Sequence, residues 1–166
     1  MALVTGASSG IGLAYARELA RRGYDLLLVS NEQERIGTVA EELAAAFGVK
    51  TIPLCMDLAR SEATRELYDY CEREKLQIGI LVNLTEVTPE RIETMLLLHI
   101  RTVTLLCRYF GAAMKRRRAG YILNMSSLSA WTPAPGISVY AASKSYIRKF
   151  SQMLRYELHQ YGVGVT

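Results

Sequence analysis

The stretch VYAASK, residues 139–144, places a tyrosine and a lysine four positions apart in what reads as the first turn of a helix. Residues at i and i+4 share one helix face, so Tyr140 and Lys144 point into the same space. A phenol ionises near pH ~10 and is a poor base and a modest acid at neutrality. A nearby ammonium stabilises the phenolate and lowers that value. A shift of about two units takes roughly 3 kcal/mol of differential stabilisation. The pair is therefore a candidate acid–base device. The plainer alternative is a tyrosine at a helix start beside a solvated lysine.

A second stretch with chemistry in it is TGASSGIG, residues 5–12. Gly6 lets the chain turn sharply off a strand. Gly10 lets backbone approach a pyrophosphate, and Gly12 lets a helix sit close to a sheet. A helix N-terminus presents free N–H groups and a positive dipole end to phosphates, and Ser8 and Ser9 add hydroxyls. The alternative is a plain tight turn.

Both stretches need elements to hold them. Apolar runs of strand length fall at residues 2–4, 25–30, 50–54, 78–82, 121–125 and 163–166. Helical patterns fall between them at 10–22, 32–47, 60–74, 88–118 and 139–160. Thr88 and Pro89 read as an N-cap and a first-turn proline. Residues 126–137, with Pro133 and Pro135, read as a loop. Continuous apolar strands alternating with amphipathic helices predict a mostly parallel sheet covered on both faces, a doubly wound α/β fold. One domain over residues 1–166 is expected, with no internal repeat or linker.

Composition narrows the function classes. Half of the residues are hydrophobic and 22% are charged, which is ordinary for a globular domain. No apolar stretch approaches the roughly 18 residues of a membrane span. The N-terminus has no secretory pattern. Cys55, Cys71 and Cys107 have no close partner in sequence and read as reduced thiols of a cytoplasmic protein. With two histidines and no cysteine cluster, no metal site is expected. Net charge is +4, and residues 115–118 form one basic run. Without interleaved aromatics, that run reads as a helix C-terminus rather than a nucleic-acid patch.

TGASSGIG, then NMSS (residues 124–127), then YAASK, with Tyr140 thirteen residues past Ser127, together resemble the classical short-chain dehydrogenase/reductase family over essentially the whole chain. The resemblance implies a Rossmann-type domain that moves hydride between a nicotinamide and a ketone or secondary alcohol. Tyr140 would pass a proton to the carbonyl oxygen, Ser127 would donate a hydrogen bond to that oxygen, and Lys144 would also bond the nicotinamide ribose. Gly6, Ser8, Ser9, Gly10, Ile11 and Gly12 would hold the pyrophosphate side of the cofactor. Asp57, with Leu58 beside it, would meet the adenine, although an Asp there could instead cap the next helix. Asn83 would close the fourth strand at the cofactor. The ribose 2′-position would be read at Ser30 and Asn31. Neither an acid to repel a phosphate nor an arginine to clasp one stands at those positions, which favours NADP slightly over NAD. Arg35 is a candidate phosphate partner.

Three features depart from the family pattern. His99, in LLLHIRT, stands where the resemblance implies a relay asparagine in the long helix. It could continue a proton relay or be a buried structural histidine. The span from Asn83 to His99 is 16 positions, roughly ten fewer than the resemblance implies for the βα loop at the carboxyl edge of the sheet. Either that loop is deleted or a segment is omitted, and the likeness of LTEVTPERIETM to the family's segment beyond the loop favours omission. The sequence also ends just inside the sixth strand, where the resemblance implies a further substrate-covering region.

Residues 124–158 most resemble the hydroxysteroid dehydrogenases and long-chain 3-ketoacyl reductases, which implies a steroid or acyl substrate. Trp131, Pro133 and Pro135 would then line the loop beside Ser127, or Trp131 would simply pack beneath it. Leu105, Leu106, Tyr109, Phe110, Ile147, Phe150 and Leu154 give the helices starting near Thr88 and Val139 more apolar surface than one sheet covers. In the family such helices pair as a four-helix bundle, implying a homodimer or homotetramer. The reading from another class is a nicotinamide-binding sensor or scaffold without turnover, motivated by His99 and the short chain.

Overall fold

The computed structural model describes residues 1–84, 92–132 and 134–166. The chain forms two compact units, Met1–Leu84 and Thr85–Thr166.

The first unit alternates β1 (Ala2–Thr5), α1 (Gly10–Arg21), β2 (Leu26–Ser30), α2 (Gln33–Phe47), β3 (Thr51–Cys55), α3 (Ala63–Arg73) and β4 (Ile80–Asn83). Its strands run in the order β3-β2-β1-β4. All three pairings are parallel, with Leu3 opposite Leu27 and Leu81, and Leu27 opposite Ile52. Every residue of β1 and β2 is buried. That is why their sequences, ALVT and LLLVS, show no polar alternation. Full burial of each leucine in 26–28 stabilises the fold by about 2 kcal/mol. Among the described residues β3 pairs only with β2, and an edge position tolerates Pro53 within the strand. α1 buries Gly12, Ala16 and Ala20, one residue per turn and all small, so its axis lies close to the strands.

The second unit holds α4 (Ile92–Leu96), a π-helical turn (Leu97–Thr102), α5 (Val103–Arg117), β5 (Gly120–Asn124), a 3₁₀ turn (Leu128–Ala130), α6 (Ser138–His159) and β6 (Val163–Val165). β5 and β6 pair in parallel, Tyr121 opposite Gly164. The buried stripe of α6 is Ser143, Lys144, Ile147, Ser151, Leu154 and Leu158. Helical spacing thus carries Lys144 into the interior along with the aliphatic residues.

Some boundaries differ from the sequence reading. α3 starts at Ala63 rather than near residue 60, because Asp57 closes a turn first: its Oδ1 accepts from the Ala59 amide at 2.9 Å and its carbonyl from the Arg60 amide at 3.3 Å. The long helix is interrupted, widening by a π turn around His99. Its expected start at Thr88 and Pro89 lies outside the described residues, as does Pro133. Arg118, in the left-handed region at φ 55°, ends α5 ahead of Gly120. The basic run occupies that last turn, as expected, and the Lys115 ammonium lies 4.1 Å from the centre of the Tyr161 ring.

Candidate active site

The glycine loop begins where β1 ends. The Thr5 hydroxyl donates to the Leu84 carbonyl and accepts from the Leu84 amide, both at 2.8 Å. This ties the loop's first residue to the end of β4. Gly6 follows at φ 62°, and a Cβ there would sit 2.9 Å from the Leu84 oxygen. A Cβ on Gly12 would lie 2.0 Å from the Gly6 oxygen, so the first turn of α1 rests directly on loop backbone. Ser9 enters α1 in extended conformation, with no side-chain cap and no acid in the first turn. The amides at the start of α1 are therefore not neutralised by a local side chain, which suits an anion. This cradle fits a pyrophosphate.

Around it, the Ser30 hydroxyl donates to the Ser8 hydroxyl at 2.9 Å and accepts from the Glu32 amide at 3.2 Å. Ser30 braces the loop instead of standing open at the end of β2. Asn31 is exposed. An acid does stand one position on, but Glu32 pairs with Arg35 at 3.8 Å. Gly10 and Ile11 are exposed and Leu58 is buried. Asp57 is exposed and bonds the Ala59 amide within its own turn, so the helix-cap alternative is replaced by a turn cap ahead of α3. Asn83 is buried as the last residue of β4.

The second unit gathers the residues expected to handle protons. Lys144 is only 4% exposed, and burial pushes its ammonium down from 10.5 to about 8. Nζ donates to the Met125 carbonyl at 3.2 Å and lies 5.6 Å from the centre of the Tyr140 ring. The Ser126 hydroxyl donates to the Lys144 carbonyl at 2.8 Å. The residues just past β5 thus hold both ends of this lysine. The pair expected from VYAASK does share one space, and the solvated-lysine alternative is excluded by burial.

His99 is fully buried in the π turn. Its ring meets the Tyr140 ring edge-on, centres 5.8 Å apart at 67°. Its Nδ1 lies 2.8 Å from the Ser143 hydroxyl, which donates its single proton to the Tyr140 carbonyl at 2.7 Å. Ser143 must therefore accept from His99, which places a proton on Nδ1. In the neutral imidazole Nε2 is then the basic nitrogen. Ser127 stands at the mouth of the 3₁₀ turn and accepts from the Ser129 amide. Trp131 is 66% exposed and stacks on the Arg148 guanidinium at 3.8 Å, which overturns packing beneath the loop. Sequence reasoning missed Ser126, Ser129 and Ser143. Their positions beside Ser127, Tyr140 and Lys144 were the available signal.

A family model described as short chain dehydrogenase matches residues 1–166. The chain belongs to the short-chain dehydrogenase family. It is 35% identical to the very-long-chain 3-oxoacyl-CoA reductase of Anas platyrhynchos, covering 99% of this chain and 56% of that protein. Identity is 36% to the 17-beta-hydroxysteroid dehydrogenase type 3 of Mus musculus, over 98% of this chain and 56% of the relative. The inactive hydroxysteroid dehydrogenase-like protein 1 of Rattus norvegicus is 34% identical over 99% of this chain and 53% of its own length. This member of the family thus spans about half the length of the curated relatives it matches. Among solved structures, a short-chain dehydrogenase from Sphingobium yanoikuyae in complex with NADPH superposes with a TM-score of 0.92 at 34% identity, covering 99% of this chain and 68% of that one. The doubly wound α/β fold of the family is the fold of this chain. Among the described residues no helix is long and apolar enough to cross a membrane, and no three His, Cys, Asp or Glu side chains gather as metal ligands.

Proposed function

We propose that this chain is the dinucleotide-binding and proton-transfer part of an NADP- or NAD-dependent oxidoreductase acting on a ketone or secondary alcohol. When bound, the cofactor supplies or accepts the hydride. The chain's own residues do the rest. The amides at the start of α1, with Gly6, Ser8 and Ser9, bind its phosphates. Tyr140 gives a proton to the carbonyl oxygen in reduction and takes it back in oxidation. Lys144 stabilises the phenolate left behind, and Ser127 donates a hydrogen bond to the same oxygen. One observation carries this reading: a buried ammonium held 5.6 Å from the centre of the Tyr140 ring. A lysine at that depth opposes folding, and perturbed groups of this kind gather at functional sites.

His99, which bonds Ser143 through Nδ1, would hold the backbone of the Tyr140 turn and take the part of a relay residue. NADP is favoured slightly over NAD. The residues at the end of β2 offer no unpaired acid at Ser30 or Asn31, and a superposing family member carries NADPH. An apolar substrate, steroid-like or acyl, fits Leu128, 80% exposed, and Trp131 on either side of the turn after Ser127. Cys55, Cys71 and Cys107 form no disulfide among the described residues, and the Cys107 thiol donates to the Asn124 side-chain oxygen at 3.4 Å; reduced thiols suit the cytoplasm. Assembly as a homodimer or homotetramer through α5 and α6 fits the half-buried Leu105, Tyr109 and Phe150. Leu106, Phe110, Ile147 and Leu154 are already buried, so the apolar surplus is smaller than the sequence suggested.

The test is consumption of reduced cofactor with a panel of apolar ketones, beside Tyr140→Phe. Loss of a proton donor should lower kcat by about 10²–10⁴. Equal rates in the two proteins would sink the reading. A second reading, cofactor binding without turnover, is favoured by the similarity to a relative described as inactive. It predicts NADPH binding with no ketone-dependent oxidation in either protein.

A further inference from the structure

Ser127 makes two hydrogen bonds to a single neighbour. Its Oγ accepts from the Ser129 amide at 3.2 Å and from the Ser129 hydroxyl at 2.9 Å. The first bond is an ordinary cap on the 3₁₀ turn. The second is not needed to close that turn. A serine hydroxyl has two acceptor sites and one proton. Both acceptor sites of Ser127 are filled by Ser129, so the proton is what remains to be directed, away from that residue. An oxygen that accepts hydrogen bonds also becomes a stronger donor by polarisation. The turn itself is anchored. The Ala130 amide donates to the Ser127 carbonyl at 3.0 Å, and the Ser145 hydroxyl on α6 shares its proton between the Ala141 carbonyl at 2.9 Å and the Ala130 carbonyl at 3.2 Å.

We propose that Ser129 is a positioning residue that makes Ser127 a one-way donor toward the substrate oxygen. This rests on the reading of Ser127 as a substrate contact. Without the Ser129 hydroxyl one acceptor site of Ser127 is open, its proton is no longer confined to the substrate side, and the oxygen can present a lone pair to the carbonyl, which repels it. The effect belongs to the reacting complex, so it falls on kcat more than on cofactor affinity.

The test is a double-mutant cycle in the intact protein, with Ser129→Ala and Ser129→Thr made alone and in a Ser127→Ala background. Ser129→Ala should lower kcat about three- to tenfold, the scale of one neutral hydrogen bond, with the cofactor KM and the unfolding midpoint unchanged. Ser129→Thr, which keeps the hydroxyl, should stay within about twofold of the parent. In the Ser127→Ala background, Ser129→Ala should change kcat by less than about 1.5-fold, because its target is gone. An equal loss in both backgrounds overturns the proposal in favour of a structural role. No loss on Ser129→Ala also overturns it, while a depressed Ser127→Ala leaves the reading of Ser127 standing. Should Ser127→Ala be too slow to follow, the comparison of Ser129→Thr with Ser129→Ala decides: equal losses reject positioning. An unchanged rate for Ser127→Ala removes the reading and this inference together.

Discussion

Lys144 is the residue on which the site's energetics turn. Its folded-state pKa, about 8, lies below the ordinary 10.5. Below pH 8 both folded and unfolded lysine are charged, and the burial penalty is felt in full. Between 8 and 10.5 the folded lysine has lost its proton while the unfolded one keeps it, so stability rises with pH. Above that window the penalty is gone. Lys144→Met should therefore be more stable than the parent at pH 7, by about 1–3 kcal/mol after the lost bond to Met125 is counted. The gain should shrink toward pH 10. Urea unfolding at the two pH values checks this, and a variant less stable at pH 7 would contradict it. Turnover should fall in the same variant. His99 makes a separate residue-scale prediction. His99→Leu removes the donor to the Ser143 hydroxyl, which keeps only its bond to the Tyr140 carbonyl, and should cost about 1–3 kcal/mol of stability, read from the same unfolding curves.

At the scale of elements, the strand–loop–helix start is the most tightly constrained piece. A methyl on Gly12 would collide with backbone at 2.0 Å, not with a yielding side chain. Gly12→Ala should destabilise by about 1–3 kcal/mol and weaken NADPH binding more than tenfold, measured by thermal unfolding and calorimetry. Gly37 supplies the contrast. It lies within α2 with nothing inside 4 Å of an added Cβ. Gly37→Ala should stabilise by about 0.5–1 kcal/mol and leave cofactor binding alone. These elements were readable in the sequence because their patterns are local. The apolar run LLLV, closed by Ser30 and Asn31, has the length of a buried strand, and TGASSGIG needs its glycines wherever it lies. The interruption of the long helix was less legible, since a π turn changes which residues share a face without changing composition. Ser129 and Ser143 were illegible for a related reason. Serine is common on surfaces and in caps, and only geometry shows which hydroxyl each one holds. Its bond to Ser8 made Ser30 only half legible, because a residue at a strand end can face a ligand or brace a loop, and sequence does not say which way its hydroxyl turns.

At the scale of the whole molecule, the prediction is assembly. Leu105, Tyr109 and Phe150 remain half-buried on α5 and α6, and aromatic and aliphatic groups left so are candidates for a partner's surface. Light scattering at micromolar concentration should give twice or four times the chain mass. Tyr109→Glu combined with Phe150→Glu should halve it at least, and a monomeric parent would remove the proposal. The buried ammonium has a longer-term consequence as well. A chain that no longer handled protons at this site would gain stability by exchanging the lysine for almost any aliphatic residue of its length. Stability alone would favour that exchange, so Lys144, in the same buried stripe as Ile147, Leu154 and Leu158, fits the proposed site that draws on its charge.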